Sequence, residues 1–546
     1  MAGQHPRQRG RRARRRGPDR ARPEPHDPPA QGAAVRRGRV VRRDRVGRRG
    51  RVVRRGRVVR RDRVVRRDHV ALSDRTRLSP ERRRADRARL PEEVVDLVVA
   101  GGGVTGAAVA LDAASRGFAV ALLEAADWAS GASGRPVALV PAGAAGPLRA
   151  VAPHLARPVP VLRPSGRAAL GAAAGALAGL LGVGGGAAAP RWLPPRAAAA
   201  ALPGLRPEVL AAGAVRTRDA RVDEARLALA LVRTAAGYGA RVLTRARVTG
   251  LLGPGGPVLG VGATDRTDGS AFRVRARAVV LALGAADLPG LPGPGARTTG
   301  AASLALLPGG AVPGRSAAVV GTPGGELSLV PADGRWALAT TGAGTGLAGL
   351  LDLAALVLRR PPAEEEVLGV HASTVAARER GTPAPGLVLL RGIPLAEVRG
   401  AAAEAVDDAT AGLPGVPPSR TAHLPLVGAR GVDAVHPLPP GLPAGTSERL
   451  RARHGDGAVE VLDLVRDDPT LGRPLPGAPG VLAAEVVHAV TAEGALDLRD
   501  VLLRRARMPR PTAAAARAAA ALAAGPLGWD DGRVAREVAA TLPASR

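Results

Sequence analysis

The sequence predicts an α/β protein with a β-rich second region and a helical C-terminal domain. Three observations predict it. The apolar run VVDLVVA (94–100) reads as a buried parallel strand, a glycine-rich turn behind it opens a helix over Gly106–Arg116, and FAVALLE (118–124) reads as a second strand ending on an acid. Residues 297–345 break into short β segments between Gly and Pro turns. From Ser447 onward, apolar residues recur at helical spacing to the C-terminus.

The elements between these landmarks follow from local pattern. PRWLPPR and ALPGLRP mark loops around an alanine helix between about 190 and 205. VDEARLALALVRTAAGY (222–238) is an amphipathic helix, and ARVLTRARVTGLL after it is strand-like. RVRARAVVLALGA (273–285) alternates and then turns wholly apolar, as a strand entering a buried sheet does. The Pro- and Gly-rich stretch 413–445 reads as a linker before a helical domain over 446–546.

Composition narrows the function classes. The formal charge is +32, but residues 1–90 hold 33 Arg against 9 Asp plus Glu, a net +24, which leaves +8 for the other 456 residues. The basic character therefore belongs to a leader. From Gly38 to about His69 that leader repeats six-residue units such as GRVVRR and DRVVRR, a period that fits neither a helix nor a heptad, so 1–90 is expected to be disordered. It contains no aromatic residue to stack on bases, and no specific nucleic-acid partner is expected.

With no Cys, disulfides, thiolate nucleophiles and cysteine-held metals are excluded, and the 9 His show no ligand spacing, so no metal site is expected. No apolar core follows the N-terminal arginines as a secretory signal requires. Residues 168–190 are uncharged but rich in Ala and Gly, which suits a soluble helix and loop better than a membrane span. With 4 Trp, 2 Phe and 1 Tyr in the chain, the core must be built of Ala, Val and Leu.

The turn after the first strand carries the chemistry. Gly101, Gly103 and Gly106 stand between strand and helix, and Glu124 closes the next strand, which completes a βαβ dinucleotide fingerprint. Gly101 permits the tight turn, Gly103 lets the backbone approach a pyrophosphate, and Gly106 allows the helix to pack close on the strand. The helix start, with Val104 and Thr105, offers N–H groups to the anion. Glu124 would accept hydrogen bonds from ribose hydroxyls and repel a 2′-phosphate.

The run DLVVAGGGVTGAAVALDAASRGFAVALLEAADWASGASGR resembles the N-terminus of FAD-dependent glycerol-3-phosphate dehydrogenases, within the wider class of glycine-oxidase-like flavoproteins. The resemblance recurs in order, through RDARVDEARLALALVRTAAGYGARVLTRARVTGLL, AVVLALG (278–284), PGLVLLRGIPLAEVRGAAAEAVD and SERLRARHGDGAVEVLDLVRDDP, and covers about 92–540. It implies a Rossmann-like FAD-binding domain over 91–412, with a β-rich substrate domain inserted at about 140–215 and 290–380. It adds Ser130, Ser133, Val248 and Gly284 to the FAD-binding positions. It further implies oxidation of glycerol 3-phosphate to dihydroxyacetone phosphate, with electrons passing to a quinone or another acceptor. A cytoplasmic protein is expected, with peripheral association at the inner face of the cell membrane left open.

The family's substrate motifs are altered here. Its Lys-Leu-Ile-His-Gly-Gly is replaced by Ala138-Leu139-Val140-Pro141-Ala142-Gly143, and its Gly-Thr-Thr-Asp by Ala339-Thr340-Thr341-Gly342. Its Gly-Leu-Arg-Pro becomes Ser373-Thr374-Val375-Ala376, and its Gly-Gly-Lys-Leu-Thr-Thr-Tyr becomes Gly392-Ile393-Pro394-Leu395-Ala396-Glu397-Val398. A phosphate needs Arg or Lys donors on burial, and removing hydride from a carbinol needs a base. Arg135, Arg399, His371 and Glu397 are the candidates left near these motifs, and no catalytic residue is assigned from sequence. Two alternatives stay open: an FAD-binding paralogue with impaired catalysis, and an oxidoreductase acting on an uncharged alcohol or amine.

Overall fold

The computed structural model describes residues 74–135, 137–164, 190–253, 256–289, 297–342, 346–430 and 439–542. The arginine-rich hexad repeat and nearly all of the uncharged stretch 168–190 lie outside these residues.

The first described helix corrects the leader boundary. Helix α1 (Pro80–Arg89) starts at Ser79, whose Oγ accepts the Arg82 N–H at 3.2 Å, with Pro80 in its first turn. Two of its arginines are engaged by distant parts of the chain. Arg83 Nη2 donates to both oxygens of Asp265 at 2.9 and 3.0 Å and to the Thr244 carbonyl at 2.9 Å, and Arg82 Nη2 reaches the Ala236 carbonyl at 2.9 Å. Charge density suggested a solvated segment up to residue 90. The carboxylate and carbonyls that receive this charge lie 150 to 180 residues away, beyond the reach of local pattern.

The expected βαβ unit follows: β1 (Val94–Ala100), α2 (Val104–Ser115) and β2 (Val120–Leu123). The chain then enters a second layer through β3 (Ala138–Val140), β4 (Ala156–Pro164), β5 (Arg191–Leu193) and β6 (Ala214–Val222). Helix α3 (Glu224–Gly237) returns it to β7 (Arg241–Leu243), β8 (Ala246–Leu252), β9 (Gly260–Asp265) and β10 (Ala271–Leu281). A second excursion makes β11 (Thr298–Pro308), β12 (Ala317–Thr322), β13 (Gly325–Ala332), β14 (Arg335–Gly342) and β15 (Gly369–Ala376). Strands β16 (Glu379–Ala384) and β17 (Leu387–Arg391) and helix α4 (Val398–Thr410) complete this part.

Two large sheets result. In the first, β17, β10, β1, β2 and β7 run parallel in that order, with β16 antiparallel on one edge and β9 and β8 continuing from β10. The register sets Leu97 beside Ala278 on one side and Val120 on the other. Helices α2, α3 and α4 cover one face through Ala107, Val109, Leu111, Leu227, Val232 and Val406, and β8 and β9 contribute to the core on the other. The second sheet is ordered β15-β11-β14-β13-β12-β4-β6-β3, with β5 on β6. Two separate chain segments, 138–222 and 298–376, build it.

The expected linker needs a second correction. Leu424 and Leu426 are buried in the core formed with α2, Ser419 Oγ donates to Asp112, and Thr421 Oγ1 donates to the same carboxylate at 3.3 Å. Proline and glycine mark irregular backbone here, and that backbone is packed. Residues 431–438 lie outside the described residues. Beyond it come helices at Thr446–His454, Ala458–Asp467, Ala483–Thr491, Ala513–Leu527 and Asp531–Thr541. A short hairpin, Pro474–Leu475 with Ala478–Leu482, and a π-helical turn at Asp500–Arg505 interrupt them. An alanine-rich interface, Ala515, Ala516, Ala519, Ala520 and Ala523, fills the centre of this domain.

Candidate functional site

The carboxyl ends of β1, β2 and β10 meet at one crevice. Gly101 leaves β1 with φ +109°, and a Cβ there would lie 2.4 Å from the Ala282 carbonyl oxygen. A Cβ on Gly106 would lie 1.9 Å from the Gly101 carbonyl oxygen, so this contact between α2 and β1 exists only with glycine. Gly103 is the N-cap of α2, and the first backbone bond of the helix runs from the Ala107 N–H to the Gly103 carbonyl at 2.9 Å. The N–H groups of 104–106 precede that bond and have no helical partner. One is already engaged, since Val104 N–H donates to Ser133 Oγ at 3.0 Å. Thr105, half-buried, sits beside it in the first turn.

Glu124 lies across the turn. Its Oε2 accepts the Gly102 N–H at 2.6 Å, its Oε1 accepts the Ala126 N–H at 2.8 Å, and Ser130 Oγ approaches Oε1 at 3.4 Å. Burial pushes its carboxyl above the usual range, and the two backbone donors work against that rise. An ionised carboxylate has about four acceptor sites, so lone pairs remain for a ligand's hydroxyls. Strand β8 begins beside it: the Ala246 N–H donates to the Glu124 carbonyl at 2.8 Å, and Val248 follows two residues on. Gly284, with φ +62° and open space around it, stands two residues past Ala282 on the other flank. Hydrogen bonds thus tie the fingerprint turn to Glu124 and Ser133, with Ser130 3.4 Å from Glu124, while Val248 lies on β8 and Gly284 just past β10.

Two neighbours escaped the sequence reading. A Cβ on Gly102 would meet Trp128 Cε3 at 2.6 Å, so the middle glycine of the GGG run makes room for a buried indole. Trp128, one of 4 tryptophans in an aromatic-poor chain, was the available signal. Asp127, fully buried beside it, carried none.

The four remaining candidates separate clearly. Arg399 is exposed in the first turn of α4. Glu397 is exposed at that helix's N-cap and pairs with Arg378 at 2.8 Å, on the surface. Arg135 stands at the end of the short 3-10 turn Ala132–Gly134, where its Nε donates to the buried Glu224 at 3.0 Å. His371, on β15, packs against the same turn: a Cβ on Gly134 would lie 2.8 Å from its Cε1. Its Nε2 is buried without a partner. Burial, then the charges of Arg135, Arg507 and Arg504, lower its pKa to about 4, so the ring is neutral at physiological pH.

Among the described residues, His454, His488 and Glu493 have metal-ligand spacing. A cation already holds that place. Arg226 donates to both Glu493 oxygens, at 2.6 and 2.9 Å, and its Nη2 lies 3.1 Å from His454 Nδ1.

Comparison with known proteins decides the family. Residues 96–367 match the FAD dependent oxidoreductase family model, and 419–534 match the C-terminal domain of alpha-glycerophosphate oxidase. Glycerol-3-phosphate dehydrogenase of Mycobacterium leprae is 33% identical over 524 residues, covering 84% of this chain and 89% of that protein. The chain belongs to the FAD-dependent glycerol-3-phosphate dehydrogenase family. Glycerol-3-phosphate dehydrogenase 2 of Mycobacterium tuberculosis is 32% identical over 516 residues, covering 83% of this chain and 88% of that protein. The structure of glycerol-3-phosphate dehydrogenase from Bacillus halodurans complexed with FAD superposes with a TM-score of 0.68 at 22% identity, over 85% of this chain and 97% of that one, which shows the fold.

The crevice fits this family's cofactor, FAD. At Gly101, Gly102 and Gly106 a Cβ would collide with neighbouring protein atoms, so glycine alone lets turn, strand and helix close up here; the helix start offers N–H donors to a diphosphate, and Glu124 retains acceptors for a ribose. The protein is an FAD-dependent oxidoreductase of this family's fold.

Proposed function

We propose that the chain oxidises glycerol 3-phosphate to dihydroxyacetone phosphate and passes the electrons to a quinone or another acceptor. The observation that carries this reading is the extent of the family match. It includes the C-terminal domain of alpha-glycerophosphate oxidase as well as the cofactor domain, in one continuous order. FAD supplies the hydride acceptor. The glycine cradle and Glu124 would hold its adenosine half, and at the turn Ala132–Gly134 Arg135 and His371 stand close together, His371 on the second sheet.

Two roles follow for this chain's residues. Arg135, anchored through Nε by Glu224, supplies a cation at that boundary for an anionic substrate. His371 is neutral with an unpartnered Nε2, the state that a proton acceptor for the substrate hydroxyl requires. A lipid-soluble quinone would demand contact with a membrane surface. Among the described residues no helix is long and apolar enough to cross one.

One observation favours a second reading. Val375 is half-buried on β15 and Pro394 is exposed before α4, where the family carries Arg and Lys, so an uncharged alcohol or amine would need fewer of the missing donors. Turnover with an artificial electron acceptor separates the two. Dihydroxyacetone phosphate formed from glycerol 3-phosphate supports the first reading. Dye reduction only with uncharged alcohols or amines replaces it with the second.

A further inference from the structure

The loop between Glu124 and the turn at Ala132–Gly134 carries Ser130 and Ser133, yet its own backbone is poorly self-supporting. Ala129 adopts φ +55°, a left-handed conformation that a non-glycine residue keeps only when its surroundings impose it. Two local bonds help, Ala129 N–H to the Gly102 carbonyl at 3.0 Å and Ser130 N–H to the Asp127 carbonyl at 3.1 Å. The strongest restraint comes from the far end of the chain. Arg505 Nη1 donates to Asp127 Oδ2 at 2.5 Å and Nη2 donates to Asp127 Oδ1 at 2.8 Å, a bidentate pair across 378 residues with neither partner more than 5% exposed. The guanidinium is itself oriented, since Nη2 also donates to the Glu493 carbonyl at 2.9 Å. Arg507, two residues on, is held by Asp223 at the N-cap of α3.

We infer that Arg505 is a positioning residue for the FAD site: through Asp127, the C-terminal domain clamps the loop that carries Ser130 and Ser133 against the glycine cradle. The polar partners of Arg505 are Asp127 and Glu493, so its effect on FAD passes through the loop. This deepens the FAD reading and rests on it. A buried bidentate pair resists removal of one partner, and Asp127 would then keep only the longer, more exposed contact with Arg504 Nη1 at 3.6 Å. Loss of Arg505 therefore loosens Asp127 and the strained Ala129 that follows it. The C-terminal domain is thereby a support of the cofactor site, and Arg507 Nη1 also reaches the Gly134 carbonyl of the same turn at 3.5 Å.

The test compares two bridges between the same two parts of the protein. Arg233 on α3 pairs with Glu460 of the C-terminal domain at 2.9 Å, far along the chain from the loop. Full-length apoprotein is prepared as wild type, Arg505→Ala, Arg505→Lys, Asp127→Asn and Arg233→Ala. The FAD dissociation constant is read from quenching of free flavin fluorescence, beside thermal unfolding of the apo form. Arg505→Ala and Asp127→Asn should each weaken FAD at least tenfold, and the double variant should be no weaker than the worse single. Arg505→Lys, a single point charge in place of a fork, should fall between. Arg233→Ala should lower the melting temperature while holding FAD within twofold of wild type. If Arg505→Ala fails to fold, Asp127→Asn carries the test. Wild-type affinity in Asp127→Asn or Arg505→Ala, or an equal loss in Arg233→Ala, overturns the clamp while leaving the FAD reading intact. A wild type that takes up no FAD overturns both.

Discussion

Replacing Gly106 by alanine probes the closest contact in the cofactor crevice. The new Cβ would lie 1.9 Å from the Gly101 carbonyl oxygen and 3.1 Å from its carbon, where real Cβ atoms stay beyond 3.0 Å. Helix α2 and strand β1 must therefore part by about 1 Å, since main-chain atoms have no rotamer to escape into. Overpacking of this kind costs about 1–3 kcal/mol, and alanine returns about 1 kcal/mol of helix propensity. The clash with backbone places the cost at the upper end, for a net loss of about 2 kcal/mol. The same displacement moves the free N–H groups of 105 and 106 off the diphosphate, so FAD should bind at least about tenfold more weakly, or ~1.4 kcal/mol. Gly400→Ala in α4 is the control: nothing lies within 4 Å of its Cβ, and it should be neutral or stabilising by up to about 1 kcal/mol. Denaturant unfolding of apoprotein and FAD titration read both effects. If Gly106→Ala unfolds with the wild-type midpoint and keeps wild-type affinity, the argument from close approach is wrong.

Further outcomes follow from other contacts. Glu124→Ala removes the acceptors of the Gly102 and Ala126 N–H groups and should cost the apoprotein about 1–3 kcal/mol, with FAD affinity down at least about tenfold in the same titration. Arg83→Ala removes the donor that bonds both oxygens of the buried Asp265, leaving Arg87 at 3.5 Å and Thr267, and should cost about 1–3 kcal/mol by urea unfolding; an unchanged midpoint would return α1 to the status of a dispensable leader. His154 and His454 are buried, and burial followed by the Arg226 charge lowers both pKa values from 6.5 to about 3. The unfolded chain then binds protons that the fold refuses, so their contribution is intact above about 6.5 and is lost as pH falls toward 3, by about 1.4 kcal/mol per unit for each histidine. His454→Gln should flatten the fall in stability measured between neutral and mildly acidic pH. His371→Ala should slow flavin reduction by substrate at least about tenfold with FAD affinity unchanged, and the wild-type rate should be flat with pH above about 5; equal rates in the two proteins would remove His371 from the reaction.

What the sequence discloses here is what short range controls. The turn from Gly101 to Gly106 and the acid at Glu124 are legible because strand, turn, helix and strand are consecutive, and Gly106 answers to an atom within that unit and Gly101 to one just past the neighbouring strand β10. The apolar runs of β1 and β10 are legible because parallel strands bury both faces. Helix α1 was hidden by its own composition, since five arginines in ten residues look solvated until Asp265 and the carbonyls of Thr244 and Ala236 are brought to them. Leu424 and Leu426 were hidden for a similar reason, as prolines around them signal irregular backbone and say nothing about burial. Glu397 and Arg399 drew notice by standing next to an altered motif, but the N-terminal turn of α4 presents both outward. Arg505 and Asp127, 378 residues apart, are joined only by the fold.

Anaerobic addition of glycerol 3-phosphate to the FAD-loaded protein tests the central claim most directly. Bleaching of the visible flavin absorbance in proportion to added substrate, with glycerol inert at the same concentration, is the result this account predicts. A flavin that stays oxidised with glycerol 3-phosphate, yet is reduced by dithionite, would contradict it.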